Sequence, residues 1–126
     1  MKANEIMLGD WVRHRWTCCN TGREVVRDFQ LAAIQKIGES LYAWSKGGNA
    51  GNIEDIEPIP LTAEILENNF PTYEGLAWEP SDITDTTPAF TIRIDEDFTH
   101  IEIDLSYIHE LQHALKLCGI EKDIVL

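Results

Sequence analysis

The sequence predicts an α+β fold: a small SH3-like β-barrel over residues 1–60, then a helix, an antiparallel sheet and a C-terminal helix over residues 61–126. Three observations carry this expectation. The first sixty residues break into short β-prone runs between turn signals, with no helical period. Phe90, Ile92, Ile94 and then Ile101, Ile103, Leu105 alternate strictly, as half-buried strands do. Tyr107, Ile108, Leu111, Ala114, Leu115 and Cys118 fall on one face of a helix.

Taken in order, Gly9-Asp10 is a turn signal and Trp11 to Trp16 reads as a strand interrupted by charge. Asn20-Thr21-Gly22 marks the next turn. Residues 28–37 carry Phe29, Leu31, Ala33 and Ile37 on one parity, with Ile34 breaking the alternation. Gly38-Glu39 separates that strand from Leu41-Tyr42-Ala43-Trp44. Gly47 to Asn52 reads as a flexible loop, and Ile53 to Ile59 as an extended stretch closed by Pro58 and Pro60. Several short strands at this spacing suit a small curled sheet or barrel.

A helix over 62–69 follows, with Thr62 as its cap, Glu64 in the first turn and Leu61 placed to staple against Leu66. Asn68-Asn69 and Pro71 stop it. Strands are expected at about 73–78, 89–95 and 98–105, with 79–88 a polar loop and Asp95-Glu96-Asp97 a hairpin turn. The last helix, 106–118, takes Ser106 as its cap. Gly119 ends it in a left-handed conformation, and Ile120 touches Leu115.

Charge divides the chain as the elements do. The whole carries -12, from 22 acids and 10 bases. Residues 1–36 hold six bases and four acids, whereas residues 61–126 hold fourteen acids and three bases. A uniformly basic nucleic-acid binder is therefore excluded, while residues 1–36 leave nucleic-acid contact open. The acidic half raises the opposite expectation, a surface that mimics nucleic acid. Three cysteines, two of them adjacent, argue against a disulfide framework, since adjacent cysteines pair only with strain. With no signal-like or membrane-spanning apolar run, the expected compartment is the cytoplasm and no membrane partner is expected.

One motif bears chemistry. His109-Glu110-Leu111-Gln112-His113 matches H-E-x-x-H, in which two histidines one turn apart hold zinc and the glutamate activates the metal-bound water. The alternative it raises is a zinc-dependent hydrolase with His109 and His113 as metal ligands and Glu110 as catalytic base. Against it, no histidine follows His113, and Lys116 and Gly119 stand where the extended motif needs Gly and His. Both histidines also lie opposite the apolar stripe, beside Gln112 and Lys116, which predicts a solvated or partner-facing surface. No catalytic residue, metal or cofactor is expected on this reading. Asp95-Glu96-Asp97 lacks the Gly and Glu of an EF-hand, and Gly47–Asn52 lacks the Lys of a P-loop. Cys18 and Cys19 near His14 lack a legible orienting group, so no nucleophile is assigned there.

Tyr107-Ile108-His109-Glu110-Leu111-Gln112 resembles the Y-[VI]-H-x-L-Q helix of a group of small proteins from gut bacteria, their prophages and mobile elements. The opening Met1 to Glu5 with Leu8-Gly9-Asp10-Trp11-Val12, and the stretch Ile53 to Thr62 with Glu64-Ile65-Leu66, resemble the same group. The group has no established activity. In it, Gln is frequent at the position of Glu110 and Asn at that of His113, so the resemblance implies that the protease-like pattern is incidental. The expected function is a non-enzymatic accessory or interaction protein with an unidentified protein partner. Its candidate surfaces are Trp11, Arg13 and Arg15 on the first strand and His109, Gln112 and His113 on the last helix.

Overall fold

A computed structural model describes residues 5–71, 75–81, 89–96 and 99–126. The chain forms two compact units, Met1–Ile59 and Pro60–Leu126. Both are built on antiparallel sheets, and the second adds two helices, which makes the fold α+β. No helix among the described residues is long and apolar enough to cross a membrane.

The first unit contains β1 (Trp11–Thr17), β2 (Glu24–Ile37), β3 (Ser40–Ser45), β4 (Ala50–Asn52) and β5 (Ile56–Pro58), in the sheet order β4-β3-β2-β1-β5. β4 and β5 are the two ends of that order, so the sheet is not closed, in contrast to the barrel the sequence suggests. A two-residue loop joins β2 to β3, with Gly38 at φ 63°, a backbone that a side chain with Cβ rarely adopts. β2 spans 14 residues and bends at a bulge between Leu31 and Ala33, where its register against β3 shifts. That bulge explains why Ile34 breaks the alternation: one extra residue reverses the parity of everything after it. Val12, Phe29, Leu31, Ala43, Ile53 and Ile56 form the buried centre, together with Ile6.

Two further expectations fail in this unit. The run read as a flexible loop contributes β4, paired through Tyr42↔Asn52, Ala43↔Gly51 and Trp44↔Ala50. The stretch read as extended begins instead with a 3-10 turn, Ile53–Asp55, because the Asn52 side chain accepts a hydrogen bond from the Glu54 amide at 3.0 Å and caps it. The extended part shrinks to β5.

The second unit contains α1 (Ala63–Asn69), β6 (Leu76–Pro80), β7 (Phe90–Glu96), β8 (Thr99–Leu105) and α2 (Ile108–Leu117), with sheet order β6-β7-β8. Thr62 caps α1 by accepting from the Ile65 amide at 3.2 Å, and Leu61 and Leu66 are both buried. Phe90, Ile92 and Ile94 are buried along β7. β8 is an edge strand, so Ile103 remains exposed while Leu105 is buried. Residues 72–74, 82–88 and 97–98 of the expected strand start, polar loop and hairpin turn lie outside the described residues.

α2 starts one residue later than the sequence suggests, with Tyr107 rather than Ser106 in the cap position. The reason is that 106–107 is still held extended: the Leu61 amide donates to the Ser106 carbonyl at 2.9 Å, and Tyr107 bridges Pro60. The helix ends as expected. Gly119 has φ 73°, and the Ile120 amide returns to the Leu115 carbonyl at 2.9 Å, with both side chains buried.

Candidate functional site

The H-E-x-x-H segment is tied into the helix end. Oε1 of Glu110 accepts the backbone N–H of Ser106 and of Tyr107, each at 3.0 Å. Glu110 stands at the third helical position, so this is the reciprocal arm of a capping box, satisfying amides that the helix itself cannot. A carboxylate held by two amides is poorly placed to take a proton from a metal-bound water. The rings of His109 and His113 meet edge to face at 5.6 Å, and Tyr107 stacks on His109 at 6.0 Å.

The expectation of a solvated face here is corrected. His109 is 8% exposed and Gln112 9%, while His113 is partly exposed. Periodicity placed them opposite the apolar stripe, but a helix of a small unit can be covered on more than one side. No group of three or more His, Cys, Asp or Glu side chains that could hold a metal occurs among the described residues. Among the described residues, His109 and His113 gain no third ligand, and a catalytic zinc requires three.

On β1, pleating separates the residues that the sequence brought together. Trp11, Arg13 and Arg15 share one parity; Val12, His14 and Trp16 share the other. The arginines are locally compensated. Arg13 holds Asp28 through two bonds, at 2.8 and 3.2 Å, across the β1–β2 pair. Arg15 reaches Glu24 at 2.5 Å and Glu57 at 3.0 Å, on the two strands flanking β1. Asp28 directly opposite Arg13, and Glu24 and Glu57 at positions diagonal to Arg15, are the reason this strand presents little net positive charge.

The other parity builds a compact polar-aromatic group. The rings of His14 and Trp16 stack at 4.3 Å with 20° between their planes. The Arg27 guanidinium lies 5.5 Å from the Trp16 ring centre and donates to Oδ1 of Asn49 at 2.5 Å. The His14 ring also presses on Gly51 of β4, where an added Cβ would fall 2.7 Å from two ring atoms. Burial holds the His14 pKa below its ordinary value, Asp55 opposes that shift, and Arg27 adds to it.

Trp16 lines an open cleft of about 550 Å³ together with Arg15, Thr17, Gly22, Glu24 and Asp55. Arg15 therefore borders the cleft, whereas Trp11 and Arg13 do not. Glu24 and Asp55, from β2 and the 3-10 turn, are the residues that sequence reasoning missed. The parity of Val12, His14 and Trp16 was the available signal for Trp16, but nothing local announces that Asp55 arrives beside it. No protein family, curated protein or solved structure matches this chain.

Proposed function

We propose that the chain is a non-enzymatic accessory protein of a prophage or mobile element, cytoplasmic, that acts by binding another protein through the Trp16 cleft. The observation that carries this reading is the cleft itself: an indole fixed by His14 and Arg27 at the edge of a polar opening with charges of both signs. A fixed aromatic beside charged and hydroxyl groups suits a protein segment, because such a ring contributes area at little entropic cost. A phosphate backbone would meet Glu24 and Asp55, which disfavour it. Glu110 in its capping role weighs against the hydrolase alternative. The prophage or mobile-element setting rests on the sequence resemblance at residues 107–112, at the N-terminal start and at 53–66.

For the first unit we propose a partly open SH3-like barrel. Three features support it: the strand order, the long bent β2 whose two ends pair with different strands, and the 3-10 turn just before β5.

Affinity recovery from host lysate tests the function, with wild type, Trp16→Ala, Asp55→Arg and, as a distant control, Arg93→Ala. The proposal expects a partner recovered with wild type and Arg93→Ala and lost with both cleft variants. Thermal melts of each variant are recorded beside the recovery, and a loss counts as a binding effect where the variant melts as wild type does. Equal recovery with all four would overturn the reading.

A further inference from the structure

We propose that the outer edge of β8 is a second docking surface, which takes an extended, lysine- or arginine-bearing segment of another protein as an added strand. β8 ends the sheet order β6-β7-β8, so its backbone pairs with β7 on one side and with no further strand among the described residues on the other. Glu102, Ile103 and Asp104 are consecutive and all exposed, although successive residues of a strand point to opposite faces. A strand covered along its outer side would not expose both faces in succession. The opening closes at Ser106, whose carbonyl accepts the Leu61 amide at 2.9 Å.

Edge strands ordinarily carry a device against stray pairing: a proline, a bulge or a charged side chain. β6, at the other end of the sheet, finishes in Pro80, which has no N–H to offer. β8 contains no proline, glycine or lysine, and its register against β7 runs unbroken from Thr99 to Leu105. What guards it is negative charge. On the polar face Arg93 holds Glu79 at 2.7 Å and Glu102 at 3.5 Å, so one guanidinium serves two carboxylates. Asp104 beside them accepts the neutral Thr91 hydroxyl at 2.6 Å, which leaves its charge uncompensated. A second copy of β8 laid on this edge would bring Glu102 and Asp104 against their own like, which disfavours self-pairing. The same surplus of acid selects a strand that bears lysine or arginine. On the opposite face Ile103 is 39% exposed and leaves apolar area for a branched aliphatic side chain to cover. The occupant is therefore a segment that alternates basic and apolar residues, held by main-chain hydrogen bonds and sorted by its side chains. This surface belongs to the second unit and is independent of the Trp16 cleft.

Titrating the full chain, labelled with nitrogen-15, with a capped heptapeptide of alternating lysine and valine tests the surface by amide NMR. The expected result is chemical-shift change concentrated at Ile101 to Leu105, with tighter binding at low salt than at high salt. The matching glutamate–valine peptide should leave these amides unmoved. Two further lysine–valine peptides are N-methylated, one at every valine and one at every lysine. One of them should lose binding, because only one parity of an added strand bonds to the edge. Asp104→Lys should weaken the unmodified peptide by about fivefold or more while melting as wild type does. No shift at Ile101 to Leu105, equal binding of the glutamate–valine peptide, or binding undiminished by either methylation pattern would each overturn the proposal. So would shifts at the same amides on concentrating the protein alone, which would mark a second copy as the occupant.

Discussion

Replacing Gly51 by alanine would place a methyl carbon 2.7 Å from Cδ2 and Nε2 of His14 and 2.8 Å from Cε1. The backbone permits the substitution, since Gly51 is not among the glycines with positive φ. In a strand free of contacts, alanine for glycine would stabilise by about 0.5–1 kcal/mol. Here the imidazole must give way. Moving it off Trp16 forfeits a stacked ring pair, about 0.5–1.5 kcal/mol, and forces its side-chain torsions from a staggered well at about the same cost. The net expectation is a destabilisation of about 1 kcal/mol, or roughly 4–8 °C in Tm for a unit of this size. Urea denaturation followed by tryptophan fluorescence reads this directly. The sign should reverse in a His14→Ala background, where Gly51→Ala gains the strand benefit with nothing to displace; this is a double-mutant cycle with a coupling of about 1–2 kcal/mol. Gly51→Ala that is neutral or stabilising with His14 present would refute the packing argument.

Three further outcomes follow from other contacts. Glu110→Ala should cost about 1–2 kcal/mol by leaving the Ser106 and Tyr107 amides unsatisfied, equally with zinc or with chelator. Glu110→Gln should retain most of that stability, since its amide oxygen still accepts both bonds, and thermal melts of the two variants distinguish a cap from a base. Asn69→Ala removes the bonds at 2.8 and 2.9 Å that hold both backbone groups of Val125, so stability should fall by about 1–2 kcal/mol. The Val125 amide should then exchange with deuterium far faster. His14 has a folded-state pKa below 6.5. Its contribution is therefore complete above about pH 6.5 and is lost as pH falls through the lowered value. NMR titration of the His14 ring should give a midpoint below 6.5, and His14→Ala should flatten the acid side of the stability profile.

What was legible in the sequence is what short-range chemistry decides. Thr62 reads as a cap because its hydroxyl needs only the amide three residues on, and Gly119 with Ile120 reads as a helix end for the same reason. The elements misjudged are those decided by distant partners. Gly51 looks like loop because its missing side chain is a signal of flexibility until the His14 ring is seen lying against it. Ile34 looks like a flaw in a strand until the bulge reverses the parity. Asn69 reads as a helix stop, yet its amide group bonds the chain 56 residues away. Arg13 and Arg15 read as a basic surface because Asp28, Glu24 and Glu57 meet them only through strand pairing. Glu110 raises the catalytic-base alternative because the H-E-x-x-H pattern does not show that this glutamate falls at the third helical position, where its carboxylate caps the helix start. Of the residues around the cleft, Arg15 was named from sequence, whereas Glu24 and Asp55 required the register of three strands.

The protein-binding reading meets its most direct test in site-specific photo-crosslinking inside the host cell. A photoreactive residue replaces Thr17 at the cleft wall and, as a control, Leu117, which is 81% exposed on α2. The account predicts one discrete protein adduct from position 17 that Asp55→Arg abolishes, and none from position 117. No adduct from position 17, or the same adducts from both positions, would contradict it.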